Sequence, residues 1–219
     1  MEKKYVNQSV TVDIVIFTIA DKNLKVLLIE RAHKPFKGNW ALPGGFVKMN
    51  ESLDDAAKRE LYEETGVKDV YLEQLYTFGD IGRDPRGRVI TVSYMALLSS
   101  LLTLRAATDA SAAKFFSIKK LPSPAFDHKK ILEYALQRLR WKFEYSPVAF
   151  SMIPKKFTIT QVQQIYEIVF DKSFDKRNFA KKLLSLDVLK EKSIKKDVSY
   201  RPPMLYSLKK NIPAILEII

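Results

Sequence analysis

Apolar and polar residues alternate with the two-residue period of a strand from Val10 to Ile19. A second apolar run, Leu24 to Ile29, follows across the turn formers Asp21, Lys22 and Asn23, so the pattern predicts a β-hairpin. Ser52 to Glu64 is helical in composition, and Val70 to Phe78 and Val89 to Leu98 are further strands on either side of the turn-rich segment Gly79 to Gly87. Strands around a central helix predict an α+β class, a mixed-sheet α/β/α sandwich over roughly residues 1 to 125. From Asp127 to Trp141 the apolar positions Ile131, Leu132, Ala135, Leu136 and Leu139 have the spacing of one amphipathic helix.

Pro147 and Pro154 then bracket what the pattern predicts to be an extended linker ending at Lys155 and Lys156, because proline disfavours helix at the residue before it. All seven glycines lie between Gly38 and Gly87, so the two halves are built differently. The expected domains are residues 1–145, with the connecting helix, and 150–219. In the second, Thr160 and Gln163 have capping-box spacing, with Val162, Ile165, Tyr166 and Val169 on one face of the helix that follows. A turn at Asp171 to Phe174 leads to a helix capped by Asp175, with Phe179, Leu183 and Leu184 expected inward. Two strand-like runs follow, Val188 to Lys192 and Met204 to Leu208. Helix, turn, basic helix and hairpin is the order of a winged helix-turn-helix.

Composition narrows the class. An apolar share of 47% and a charged share of 28% fit a globular protein rather than a disordered one. The most span-like stretch, Thr91 to Leu104, is about 14 residues long, short of the roughly 20 a bilayer crossing needs. No basic-then-apolar leader opens the sequence and cysteine is absent, so no disulfide or thiolate site exists and a cytoplasmic address is expected. Of the formal net charge of +12, more than half falls after residue 154, which is the electrostatic footprint of a phosphate-backbone binder or simply a solvated lysine-rich surface.

The chemistry concentrates in residues 45–67, GFVKMNESLDDAAKRELYEETGV. At about 100° per residue, Glu60, Glu63 and Glu64 fall within an arc of roughly 100° on one side of the helix. Left to water they would repel. Oxygen-seeking Mg²⁺ or Mn²⁺ binds through a few carboxylates completed by substrate phosphate and water. Gly44 and Gly45 allow close backbone approach, with a main-chain carbonyl there as a further ligand, and Arg59, four residues before Glu63, can hold a carboxylate in its fork. For three glutamates alone, a solvated acidic face with an Arg59–Glu63 ion pair is the plainer explanation; the complete spacing favours metal and phosphate binding.

That segment resembles the Nudix box, and the lead-in from Trp40 to Gly45 is also similar to that superfamily. The resemblance implies Glu60, Glu63, Glu64 and Gly45 as the metal site, Arg59 as their orienting residue, and attack of water on a nucleoside diphosphate linked to a second group. Family members that draw a base from a later loop use a glutamate; this chain has none between Glu73 and Glu133, and Asp109 is the nearest substitute. RDPRGRV at 83–89, AFDH at 125–128, FTITQVQQIYE and FDKRNF extend the resemblance to Nudix-domain transcriptional regulators of the NrtR type. These imply a dimer that leaves double-stranded DNA when an effector such as ADP-ribose binds. A plain Nudix hydrolase with a dimerising C-terminal domain is the alternative.

Arg83, Arg86 and Arg88 suit diphosphate or ribose contacts, or are merely a charged hairpin tip. Arg31, Phe36 and Trp40 flank the entry to the box and could stack on or grip a base, or belong to the core. Neither His33 nor His128 has a partner at zinc-ligand spacing. For DNA the candidates are Lys176, Arg177, Asn178, Lys181 and Lys182 on the basic helix and Lys195, Lys196 and Arg201 in the wing.

Overall fold

A computed structural model of the chain describes residues 7–66, 68–99, 110–194 and 203–218. Among them are nine strands and four α-helices, and the chain divides into two compact units. The first comprises residues up to Phe17, Lys25–Leu97 and Leu102–Ala135; the second comprises Thr18–Leu24, Leu98–Leu101 and everything from Leu136 onward.

The hairpin forms as expected, from β1 (Ser9–Ala20) and β2 (Asn23–Arg31), with Asp21 and Lys22 at φ 51° and 56°, the left-handed pair that a two-residue turn requires. The sheet runs β3 (Trp40–Ala41), β2, β1, β6 (Val89–Leu98), β5 (Tyr71–Phe78), with β4 (Gly44–Phe46) added to β1 and β7 (Ala110–Ser117) to β2. Burial along β1 is continuous from Thr11 to Thr18 rather than alternating, which marks a central strand covered on both faces. β7 was not legible as a strand, being alanine-rich, yet it pairs with β2 from Lys25↔Ser117 to Arg31↔Ala110; neighbouring structure outweighs weak intrinsic preference.

Helix α1 (Leu53–Thr65) starts where Ser52 accepts the Asp55 amide and ends at Gly66, in the left-handed conformation, whose amide returns to the Tyr62 carbonyl. It buries Ala56, Ala57, Glu60, Leu61, Glu64 and Thr65. Two glutamates on the buried face have no place in an ordinary amphipathic helix. Helix α2 (His128–Tyr145) runs four residues beyond the expected end.

In the second unit the expected linker is instead a 3-10 helix, Pro147–Met152, that buries Val148, Ala149, Phe150 and Met152. Its apolar content outweighs the flanking prolines. The capping box of α3 (Ile159–Phe170) is also not the one expected: Thr158, not Thr160, caps the helix, and Gln161 returns to the Thr158 amide. The same Thr-x-x-Gln spacing occurs twice, and the apolar face beginning at Val162 selects the earlier copy. Tyr166 sits fully buried against the rings of Phe143 and Phe179, its hydroxyl donating to the Phe143 carbonyl.

Asp171, left-handed at φ 53°, ends α3, and Glu167 holds the following turn by accepting from the Phe174 amide and the Gln163 side chain. Asp175 caps α4 (Lys176–Ser185) through the Asn178 amide. Phe179 and Leu183 face inward, but Leu184 is 47% exposed, because the ten-residue helix turns only one row of side chains to the core. Strands β8 (Leu189–Ile194) and β9 (Met204–Leu208) complete the hairpin, and Phe157 pairs with Tyr206 beside it.

Replacing Thr158 with Ala should cost about 1 kcal/mol of stability by removing the cap. Thr160→Ala should stay within about 0.5 kcal/mol as an ordinary surface change. Urea unfolding of the two variants checks the order; equal losses would contradict the capping register.

Candidate active site and its ionic lining

One cavity of about 520 Å³ in the first unit is lined by Gly44, Gly45, Glu60, Glu63 and Glu64 together with Asp13, Arg31, Arg83, Asp84, Arg86, Phe126 and His128. Glycine is required at two successive positions of its wall. Gly44, at φ 156°, lies so close to the Val12 carbonyl that a Cβ would overlap it, and a Cβ on Gly45 would collide with the Glu60 carboxylate. Backbone and carboxylate are thereby brought as near as two ligands of one ion.

Arg59 is the organiser of the acidic group, though not as expected. Its fork grips Glu51, Nη2 to Oε1 at 2.7 Å and Nε to Oε2 at 2.9 Å, while Nη1 is shared between Glu60 at 2.6 Å and Glu63 at 3.3 Å. The bidentate contact holds the Glu51 carboxyl down at about 2, and the Lys48 amide assists. Burial pushes Glu60 up instead, against the pull of Arg59. Among the described residues no three acidic or histidine side chains are yet gathered tightly enough to hold an ion by themselves. The donors nevertheless suit one. They are hard carboxylate oxygens facing a single cavity beside unobstructed backbone, an incomplete shell of the kind that substrate phosphate completes.

The remaining wall is a set of ion pairs that sequence patterning did not reveal. Arg83, 4% exposed at its side chain, donates to both oxygens of Asp127 at 2.7 and 2.9 Å and lies 3.5 Å from Asp13. Burial alone would lower its pKa, but the carboxylates outweigh it and raise it. Arg86 is fixed by Asp84 through Nε and Nη2, and its guanidinium lies over Phe46 and Phe126. His128 is buried, with Nδ1 accepting the Leu42 amide at 2.9 Å and Nε2 3.6 Å from Asp13. It thus ties the start of α2 to the lead-in of the box. Burial lowers its pKa below 6.5.

Of the other candidates, Arg31 lines the cavity, and Phe36 meets Phe126 edge-on at 4.8 Å. Trp40 and Arg88 are not among the lining residues: Trp40 packs against Phe116, and Arg88 donates to the Gly79 and Asp80 carbonyls, bracing its own loop. Asp109 lies outside the described residues, as do Lys195, Lys196 and Arg201. In the second unit Lys176, Arg177, Asn178, Lys181 and Lys182 are all exposed on α4, and none forms an ion pair among the described residues. Asp13, Asp84, Asp127 and His128 escaped sequence reasoning; the only signals were the DPRGR and AFDH runs that contain three of them.

A NUDIX domain model matches residues 9–139, which defines this as a Nudix fold, and an NrtR DNA-binding winged helix domain model matches residues 149–208. The ADPR responsive transcriptional repressor NtrR of Acinetobacter baylyi is 35% identical over 206 residues, 92% of this chain and 82% of the relative. The crystal structure of Shewanella oneidensis NrtR complexed with a 27mer DNA superposes with a TM-score of 0.79 at 36% identity, covering 95% of this chain and 99% of that one. The ADP-ribose pyrophosphatase of Methanocaldococcus jannaschii is 41% identical over 138 residues, 63% of this chain and 77% of its own. The chain belongs to the Nudix superfamily and, within it, to the NrtR-type proteins that join a Nudix domain to a winged helix. Nudix hydrolases use divalent metal ions. No helix among the described residues is long and apolar enough to cross a membrane.

His128 generates a pH dependence. Its folded pKa lies below the unfolded value, so its contribution to stability is complete above about pH 6.5 and is lost as the pH falls toward the folded value. A His128→Asn variant should lose stability overall yet show a shallower decline between pH 7 and 5. Denaturation midpoints across that range are the check, and an unchanged slope would contradict it.

Proposed function

We propose that the protein is an ADP-ribose-responsive, DNA-binding transcriptional repressor whose Nudix domain also hydrolyses its ligand with Mg²⁺ or Mn²⁺, acting as a cytoplasmic homodimer. The observation that carries this reading is the intact group of Glu60, Glu63 and Glu64 facing one cavity with Gly45, joined in one chain to a helix whose exposed basic face forms no ion pair among the described residues. Likeness over nearly the full length to a repressor named as ADPR-responsive, and over the first domain to an ADP-ribose pyrophosphatase, supports it. We assign residues 1–145 to the Nudix domain with its connecting helix and 150–219 to the winged helix.

Glu60, Glu63, Glu64 and the Gly45 backbone would hold the cation, which when bound would draw negative charge from the diphosphate. Arg59 keeps the carboxylates oriented, its fork on Glu51 and Nη1 on Glu60 and Glu63. One of the buried carboxylates, or Asp109, takes the proton from the attacking water. Arg86 faces the ligand from a position fixed by Asp84, and Arg83 holds Asp13 and Asp127 in place. Phe36 braces the Phe126 ring at the cavity wall, and Trp40 and Arg88 are outside the lining. In the second domain Lys176, Arg177, Asn178, Lys181 and Lys182 meet the major groove, with Lys195, Lys196 and Arg201 on the wing.

With Mg²⁺ and ADP-ribose the protein should release AMP and ribose 5-phosphate, and Glu64→Gln should slow this by about 10²-fold or more. Chromatography of the products is the readout. No product from the wild type would reduce the domain to a sensor.

On its own upstream DNA the full chain should shift the band at low salt and release it on adding ADP-ribose. Combining Arg177→Ala with Lys181→Ala should weaken binding and flatten the log-log salt slope by about two. Absence of any shift at low salt would leave a hydrolase without a regulatory role.

A further inference from the structure

The backbone that leads into the box is anchored by main-chain contacts and by a side chain. The Pro43 carbonyl accepts the Ile14 amide at 2.8 Å, and Gly44 and Gly45 pair with Asp13 and Val12 of β1. The Leu42 amide instead donates to Nδ1 of His128 at 2.9 Å, across 86 positions of sequence. A nitrogen that accepts carries no proton, so the neutral ring keeps its proton on Nε2, which faces Asp13 Oδ1 at 3.6 Å. The Phe126 ring lies 5.2 Å from the imidazole. Leu42 and His128 are both buried, so an amide left there without its acceptor has no substitute in bulk water.

The anchor bears on Gly45, a short way along the chain. Gly45 and the Glu60 carboxylate approach so closely that no Cβ fits between them, and backbone and carboxylate can share one ion only while that approach holds. Arg59 fixes the carboxylate through Nη1 at 2.6 Å. The backbone is fixed by its pairing with β1 and, through Leu42, by His128. Groups one step removed from an ion commonly set the geometry of those that touch it.

We propose that His128 is a positioning residue for the cation site: its Nδ1 acceptor, acting through the Leu42 amide, keeps the Gly45 backbone where it and Glu60 can ligate one ion. The inference rests on reading Glu60, Glu63, Glu64 and Gly45 as that site. It does not require the imidazole to touch either metal or ligand.

Two polar variants separate the acceptor from the bulk of the ring. His128→Asn places Oδ1 at the reach of Nδ1 and can still accept from Leu42, whereas His128→Gln is nearer the ring in size but carries its amide at the reach of Nε2. Mn²⁺ alone, titrated into the full chain and followed by electron paramagnetic resonance, gives the cation affinity. Hydrogen exchange of the Leu42 amide, read by NMR, reports the bond. His128→Gln should lose Leu42 protection and bind Mn²⁺ about tenfold more weakly, while His128→Asn keeps the protection and stays within about threefold of wild type. A merely structural role predicts the opposite order, because the smaller Asn leaves the larger void and the lower unfolding temperature. Affinities that follow unfolding temperature rather than Leu42 protection, or that survive the loss of protection, would overturn the positioning role and leave the cation site standing. Wild-type protein that takes up no Mn²⁺ would overturn the site and the inference with it.

Discussion

The first unit depends on two consecutive residues having no side chain. Gly44 lets the chain press against the Val12 carbonyl of β1, and Gly45 lets the Glu60 carboxylate come up against the backbone from the other side. Two strands and a helix therefore meet at less than one methyl group's separation. That closeness turns two buried glutamates from a liability into a site. The desolvation that raises Glu60 is offset in part by Arg59. Ser52 and Gly66 fix where α1 begins and ends, which sets the rotation that carries Glu60 and Glu64 inward.

Elements whose signal is local were legible in the sequence. The hairpin at Asp21 and Lys22, the cap at Asp175 and the acidic side of α1 each follow from residues a few positions apart. What escaped depends on distant partners. β7 is a strand because β2 offers it an edge, and the segment between Pro147 and Pro154 is helical core because Val148, Phe150 and Met152 find apolar neighbours. In the site, a periodic argument located the carboxylates and the Arg59–Glu63 pair, but not Glu51, eight residues upstream, which takes the Arg59 fork. Asp13 and Asp127 reach Arg83 from 70 and 44 residues away, and no spacing rule couples residues so far apart.

The two units treat positive charge in opposite ways. Around the cavity Arg59, Arg83 and Arg86 are tied to carboxylates, so their geometry is settled before a ligand arrives and little ordering remains to be done on binding. On α4 the cations are exposed and unpaired among the described residues, which suits a long-range attraction to a polyanion more than recognition of a small molecule. One chain thus carries a preorganised charge array and a diffuse one, each matched to a different kind of phosphate.

The triad of Asp13, Arg83 and Asp127 constrains how such a protein can diverge. Arg83 is shielded from water and shared between the two carboxylates, so losing it alone leaves both without their cation at a cost of up to about 3–5 kcal/mol, a large part of the margin by which a domain stays folded. Drift at these positions has to pass through concerted replacement, and descendants of this chain would inherit the three as a set or exchange them together.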